Sequence, residues 1–199
     1  MLNKLPHSSR IAGMCVSKAR LYAETAEVYH RRYYQIQRVK YQALVQHLPE
    51  GLLLDVGIGT GIGLLSLVEQ KPVVGVDFSV EMLEIAQHQI KTNSYWRRNV
   101  SLVCASAENL PFRSYVFPII VSVTLIQNLS EPEQGLNEFF RVLQLSGLLG
   151  ITSLAKRTSI KWLKSLITDK CLILTQMSNL ANEDIGLILK RKPNSALIQ

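Results

Sequence analysis

The sequence predicts an α/β domain built on an open, doubly wound sheet of seven strands, mostly parallel with an antiparallel last strand, under an N-terminal helical cover. Three observations carry this expectation. Between Leu52 and Ser153, short apolar runs alternate with longer mixed segments, the pattern of repeated strand-helix-strand units. The first run ends in Asp55 and turns through Gly57, Gly59 and Gly61, as a strand does when a backbone-only loop feeds it into a helix. The last two apolar runs have too little chain between them for a crossover helix, so they pair as an antiparallel hairpin.

The elements follow in order. Residues 17–47 contain neither Gly nor Pro and are rich in Ala, Glu, Gln, Arg and Lys, which predicts one or two helices ended by Pro49-Glu50-Gly51. Strands are expected at Leu52–Val56, Val73–Asp77, Val100–Cys104, Phe117–Val123 and Leu148–Ser153, with helices at Gly61–Gln70, Val80–Lys91 and Pro132–Leu143. A helix over Ser159–Ile167 then leads to the hairpin strands Cys171–Thr175 and Ile185–Leu189. Right-handed crossovers place helices on both faces. The chain divides into a cover (1–48), a core (49–155), a C-terminal helix and hairpin (156–190) and a tail (191–199), all within one domain over 1–199.

Composition sets the class. A hydrophobic fraction of 47% and a mean hydropathy of +0.13 suit a packed globule, and no apolar run reaches the roughly 18 to 20 residues of a membrane span. Cys15, Cys104 and Cys171 lie far apart, which argues against a disulfide framework and for a reduced, cytoplasmic setting. His7, His47 and His88 have no ligand-spaced partners, so no metal is expected. The net charge of +7 is unevenly spread: residues 1–50 hold 8 basic and 3 acidic groups, 51–155 hold 6 and 9, and 156–199 hold 8 and 3. Basic flanks around an acidic centre read first as solvated faces and second as an attraction for anionic partners. Lys4, Arg10, Lys18 and Arg20, interspersed with serines before Glu24, faintly resemble an organellar targeting segment; a basic start to a cytoplasmic chain is the preferred reading.

The chemistry sits in the glycine loop. In an open parallel sheet, ligands bind beyond the carboxyl ends of the strands where the strand order reverses, next to the first strand. A dinucleotide loop would need Gly at 62, where the chain has Ile62. Asp55 would repel a pyrophosphate and instead suits a cationic ligand. About twenty residues on, Val73-Val74-Gly75-Val76-Asp77-Phe78 ends a second strand in an acid, the position from which a carboxylate grips the hydroxyls of a ribose. The ligand implied is a cationic nucleoside.

These residues resemble the class I S-adenosylmethionine-dependent methyltransferases, a Rossmann-like family, and most closely the group that includes quinone-biosynthesis C-methyltransferases and many small-molecule and RNA enzymes. Asp55-Val56-Gly57-Ile58-Gly59-Thr60-Gly61 is similar to the first motif of the family, and Gly75-Val76-Asp77-Phe78-Ser79 with Met82, Leu83 and Ala86 to the second. Ser106-Ala107-Glu108-Asn109-Leu110-Pro111-Phe112 is similar to the third, with Ser106 where the family usually has Asp. Val121 to Leu129 is similar to the fourth strand and its loop, beside the reacting methyl. Asn137-Glu138-Phe139-Phe140-Arg141-Val142-Leu143 is similar to the helix before a Lys-Pro-Gly-Gly turn, here Gln144-Leu145-Ser146-Gly147. The resemblance implies S-adenosyl-L-methionine as cofactor. It implies that Asp55, Gly57, Ile58, Gly59 and Gly61 hold its methionyl part, Asp77 its ribose, and Phe78 and Met82 its adenine. Ser106, Ala107 and Glu108 then address the adenine edge, with Val123 near the methyl group.

Methyl transfer from a sulfonium needs an in-line acceptor at near-attack distance more than it needs an acid or base, and no residue stands out as catalytic. Tyr22, Ala26, Tyr29 and Tyr33 fall on one helical face. That stripe reads first as core packing; the alternative, by resemblance, is a cover in which Tyr22 and Tyr29 touch the cofactor with His30 beside them. Trp96-Arg97-Arg98 reads as a polar loop anchored by its tryptophan, or else as a stacking and phosphate-binding patch. The expected function is a methyltransferase for a small-molecule acceptor. The alternatives are an RNA or other anionic acceptor, and a non-catalytic S-adenosylmethionine-binding regulator. Glu131, Glu133 and Glu138 are expected to serve their own helix.

Overall fold

A computed structural model describes residues 33–67, 72–167 and 171–193. The first described helix, α1, covers residues 33–45; Tyr22, Ala26, Tyr29, His30, Cys15 and the basic stretch before Glu24 lie outside the described residues, as does the tail beyond 193. The strands are β1 Leu53–Val56, β2 Val73–Asp77, β3 Val100–Cys104, β4 Phe117–Ser122, β5 Leu143–Leu154, β6 Cys171–Leu180 and β7 Asp184–Arg191. They form one sheet in the order β3-β2-β1-β4-β5-β7-β6. Neighbours from β3 to β5 are parallel, whereas β7 runs antiparallel to both β5 and β6, so the closing hairpin takes its expected form. The order reverses between β1 and β4, each of which sends its chain to a different side of the sheet.

Alternation along the strands builds two cores. In β1 and β4, Leu54, Val56 and Ile120 face one layer with Leu136, Phe139 and Phe140. Leu53, Ile119 and Val121 face the other with Tyr41, Leu44, Leu64 and Leu83. The period-two side-chain alternation of a strand buried on both faces produces this split. Helices α2 (Leu64–Leu67), α3 (Val80–Thr92) and α4 (Ser94–Asn99) therefore share a face with α1, and α5 (Pro132–Val142) and α6 (Ile160–Ser165) occupy the opposite one. Helix starts are marked locally. Ser79 Oγ accepts from Met82 N at 3.2 Å ahead of α3, Pro132 occupies the first turn of α5, and Ser159 Oγ accepts from Trp162 N ahead of α6.

Several boundaries differ from the sequence expectation. Gly61 to Gly63 form turn rather than helix, so described α2 begins at Leu64. Strand β5 starts five residues early, at Leu143, and passes through Ser146 in a left-handed conformation (φ 63°); the register with β4 slips between Phe117 and Ile119, absorbing the irregularity. Strand β6 runs on to Leu180. The segment at Trp96 is a short helix, α4, not a loop. Asn93 Oδ1 accepts from Tyr95 N and Trp96 N at 3.0 and 3.2 Å, an N-cap that turns a polar stretch helical, while Trp96 is buried in the core.

Candidate functional site

A cavity of about 410 Å³ opens at the carboxyl ends of the central strands, at the switch between β1 and β4. It is bordered by Val56, Gly57 and Gly59 after β1, Val76, Asp77 and Phe78 after β2, Met82 on α3, and Ala105 to Glu108 after β3. Its other side is Val123, Thr124, Leu125 and Gln127 to Ser130 after β4, with Arg157 after β5. A shallower groove over α3 and β3, lined by Glu84, Gln87, His88 and Lys91 among others, lies on the outer helix face, away from the switch point.

The glycine loop and Asp77 form a single unit. Gly57 N and Ile58 N donate to Val76 O at 2.8 and 3.0 Å, which lays the loop across the end of β2. Asp77 Oδ2 accepts from Gly59 N at 2.9 Å and Oδ1 from Ser79 N at 3.0 Å, so one carboxylate ties the loop to the start of α3. Burial raises the Asp77 pKa above the ordinary carboxylate value, against the lowering effect of these backbone hydrogen bonds. Gly59 has φ +56°, and a Cβ built on it would meet nothing within 4 Å. The loop thus presents bare backbone toward open cavity, in a conformation that L side chains rarely adopt.

Asp55 stands behind the loop. It is fully buried, and the hydroxyl of Tyr41 on α1 donates to Oδ1 and Oδ2 at 3.1 and 2.9 Å. Burial pushes its carboxyl up to about 7; the Tyr41 hydrogen bond opposes this and the charge of Asp77 adds to it. Tyr41 reaches this position across Gly63, where any Cβ would collide with the tyrosine ring. Asp55, Ile58 and Gly61 do not border the cavity: Ile58 is buried over Gly75, and Gly61 packs closely on Leu64 and Ala86.

On the β3 side, Glu108 N donates to Ser106 Oγ at 3.1 Å, and Glu108 Oε1 accepts from Glu131 N at 2.7 Å. Glu138 fixes the same loop from below, accepting from Leu110 N at 2.8 Å and from Arg141 Nε at 2.6 Å. Arg141 donates in turn to Leu110 O and Phe112 O. The Glu and Arg of α5 are therefore braces for the wall that carries Ser106, Ala107 and Glu108, and Glu138 serves more than its own helix.

On the β4 side stand Thr124, Gln127 and Asn128, within the segment expected beside the methyl group, and Lys40, which the sequence reading did not single out. Thr124, in a left-handed conformation (φ 56°), donates from N to Thr152 Oγ1 at 2.9 Å and from Oγ1 to Asp184 Oδ2 at 2.7 Å. Lys40 of α1, 1% exposed, pairs with Asp184 at 2.8 Å and donates to Thr124 Oγ1 at 3.1 Å. Gln127 and Asn128 side-chain amides both donate to Thr124 O, at 2.7 and 3.2 Å. Lys40 and Tyr41 had a legible signal: they fall on the same three-and-four spacing as Leu44 and Leu48, which marks polar groups on a buried stripe. Tyr22 and Tyr29 lie outside the described residues.

The residues present fit a cationic nucleoside. The cavity size lies in the range of small-molecule sites; the Gly59 backbone faces open space, and Asp77 borders the cavity with acceptor capacity beyond its backbone hydrogen bonds from Gly59, Phe78 and Ser79. Phe78 and Met82 supply apolar wall.

Comparison with known proteins agrees with this geometry. A family model described as a methyltransferase domain matches residues 54–151, from β1 into β5. Over 120 residues the chain is 32% identical to the ubiquinone/menaquinone biosynthesis C-methyltransferase UbiE of Geotalea daltonii, covering 58% of this chain and 48% of that one. It is 34% identical over 117 residues to the demethylmenaquinone methyltransferase of Chlamydia pneumoniae, covering 57% and 49%. The chain thus spans about half the length of the curated relatives it matches. A crystal structure of a SAM-dependent methyltransferase from Aquifex aeolicus shares the fold at a TM-score of 0.67 and 20% identity, over 77% of this chain and 92% of that one. With the glycine loop and the acid after β2 inside residues 54–151, the chain is similar to a methyltransferase domain over that stretch and shares the sheet topology of a solved S-adenosylmethionine-dependent methyltransferase.

Proposed function

We propose that the protein is an S-adenosyl-L-methionine-dependent methyltransferase that transfers the methyl group to a small-molecule acceptor in the cytoplasm. The observation that carries this is the Asp77 carboxylate, which borders the cavity while anchoring the Gly59 backbone and the start of α3. A carboxylate held in this way is preorganised to accept from vicinal hydroxyls of a ribose. Bound there, the cofactor supplies an electrophilic methyl group. The Gly57–Gly59 backbone holds the methionyl part, Phe78 and Met82 flank the adenine, and the Ser106 hydroxyl and the chain at Ala107 and Glu108 address its edge. Val123, Thr124 and Leu125 then form the wall beside the acceptor. These residues bind, orient and exclude water, so that proximity does the chemistry and no general base is required.

The small-molecule reading draws on the relatives named for quinone biosynthesis and on a cavity of modest volume. No described helix is long and apolar enough to cross a membrane. The test is calorimetric titration of S-adenosylmethionine and S-adenosylhomocysteine into the wild type and Asp77→Ala. The variant is expected to lose about tenfold or more in affinity for both, the worth of a charge-assisted hydrogen bond to the ligand. Unchanged affinity would remove Asp77 from the site and the proposal with it.

A further inference from the structure

The cavity is charged unevenly. Asp77 and Glu108 border it on the β2 and β3 side, and Arg157 borders it on the opposite side, in the turn after β5. Both acids are engaged by backbone donors, Asp77 by Gly59 N and Ser79 N and Glu108 by Glu131 N. Arg157 is not neutralised in this way. Among the described residues it forms no ion pair, and its guanidinium makes one hydrogen bond, from Nη1 to Asn128 Oδ1 at 3.2 Å. A guanidinium has five N–H donors in a planar fork matched to carboxylate or phosphate oxygens.

The arginine is also held in place. Its own N donates to Leu154 O at 2.9 Å, Thr158 N donates to the same carbonyl at 3.1 Å, and Ala155 N donates to Glu183 O at 2.8 Å. Thr158 Oγ1 and Ser153 Oγ are 2.6 Å apart. Asn128, its partner, is itself fixed by donation from Nδ2 to Thr124 O at 3.2 Å. The backbone of Arg157 is thus fixed in the turn after β5, and its tip is tied through Asn128 to Thr124 in the wall that the proposed function places beside the acceptor.

We infer that Arg157 is the recognition group for an anionic acceptor, a small molecule carrying a carboxylate or phosphate. The inference rests on the methyltransferase reading, which puts a sulfonium cation in the same cavity. An uncompensated arginine at its rim would oppose that cation, whereas an acceptor with a negative group removes the repulsion and satisfies the fork. A neutral acceptor would cover the guanidinium without pairing it, at a desolvation cost. The carboxylate of the cofactor carries the same chemistry, and the experiment separates the two sources.

The protein is saturated with S-adenosylhomocysteine, and the binding of benzoate and of its neutral isostere benzamide is measured by NMR titration for the wild type, Arg157→Gln and Arg157→Lys. Arg157 is exposed, so both variants are expected to keep the wild-type melting temperature. Benzoate should bind the wild type about tenfold more tightly than benzamide, the gain from a charge-assisted pair. The preference should vanish in Arg157→Gln and survive in part in Arg157→Lys, which keeps the charge but loses the fork. Equal binding of the two probes to the wild type, absence of binding included, overturns the inference, as does a benzoate preference that survives Arg157→Gln. A tenfold loss of S-adenosylhomocysteine affinity in Arg157→Gln also overturns it, by assigning the arginine to the cofactor. Failure of the wild type to bind S-adenosylhomocysteine would instead overturn the methyltransferase reading.

Discussion

Replacing Asp55 with asparagine is predicted to make the protein's stability less dependent on pH, and the size of the change follows from the burial of this one carboxyl. Its pKa rises from 3.8 to about 7 on folding, chiefly through burial. The folded state therefore holds the proton more tightly than the unfolded chain, and unfolding releases a proton between those two values. Stability falls as pH rises through that window and levels off above about 7, with a slope of about 1.4 kcal/mol per pH unit. Between pH 5 and pH 8, the ionisation of Asp55 thus removes about 3 kcal/mol from the wild type. Asparagine keeps an oxygen for the Tyr41 hydroxyl and carries no charge. Its added N–H groups cost about 1 to 3 kcal/mol if unsatisfied, equally at both pH values. The stability of Asp55→Asn relative to wild type should therefore be about 3 kcal/mol more favourable at pH 8 than at pH 5. Urea unfolding followed by the fluorescence of Trp96 and Trp162 at the two pH values measures this directly. A relative stability that stays constant within about 1 kcal/mol would refute the burial argument. At pH 8, where Asp55 is ionised, the same variant should weaken S-adenosylmethionine more than S-adenosylhomocysteine, because only the first carries the sulfonium charge that the carboxylate attracts.

Two other perturbations test the supports of the cavity. Glu138→Ala removes the acceptor for Leu110 N and for two nitrogens of Arg141 and is expected to cost about 2 to 3 kcal/mol by chemical denaturation. The Arg141 hydrogen bond holds the Glu138 pKa below its usual 4.5, so the wild-type advantage should be present above that pH and shrink as pH falls through the lowered value; an advantage that grew on acidification would contradict the assignment. Lys40→Met leaves the fully buried Asp184 without its cation and should cost about 3 to 5 kcal/mol. Adding Asp184→Asn should recover part of that loss, and strictly additive losses in the double variant would show that the pair is not coupled.

The sheet was legible because its strands carry long apolar runs whose ends are marked by acids or glycines. β2 and β3 fall at the expected residues, and the closing hairpin follows from a connection too short for a helix. The first half of the site was legible for the same reason: Gly57, Gly59 and Asp77 act through backbone conformation and strand position, which leave a trace in sequence. Asp55, Ile58 and Gly61 belong to the same motif but work from behind it, and a motif does not say which of its side chains face the ligand. The β4 side was less legible. Thr124, Gln127, Asn128 and Arg157 come together from the loop after β4 and the turn after β5, and residues 128 and 157 meet only through the fold. Helix α4 was missed because a cap residue, Asn93, outweighed the low helix propensity of a polar stretch.

Helix α1 joins the two halves of this site. Lys40 and Tyr41 are consecutive in sequence, yet they serve different acids: Tyr41 holds Asp55 behind the glycine loop, and Lys40 holds Asp184 and Thr124 beneath the β4 wall. Consecutive positions on a helix point about 100° apart, so one turn can reach both sides of the strand reversal. The two contacts are electrostatically opposite in character. Lys40 neutralises its acid, whereas Tyr41 only offers a hydrogen bond, so Asp55 has no cation from α1 and ionises only near pH 7. Of the two acids beneath the cavity floor, the uncompensated one therefore lies on the glycine-loop side, where the proposed cofactor brings its positive charge, and the compensated one lies beneath the wall assigned to the acceptor. Helix α1 thus sets the polarity of the cavity, with the acid that ionises near pH 7 at the proposed donor end of the transfer.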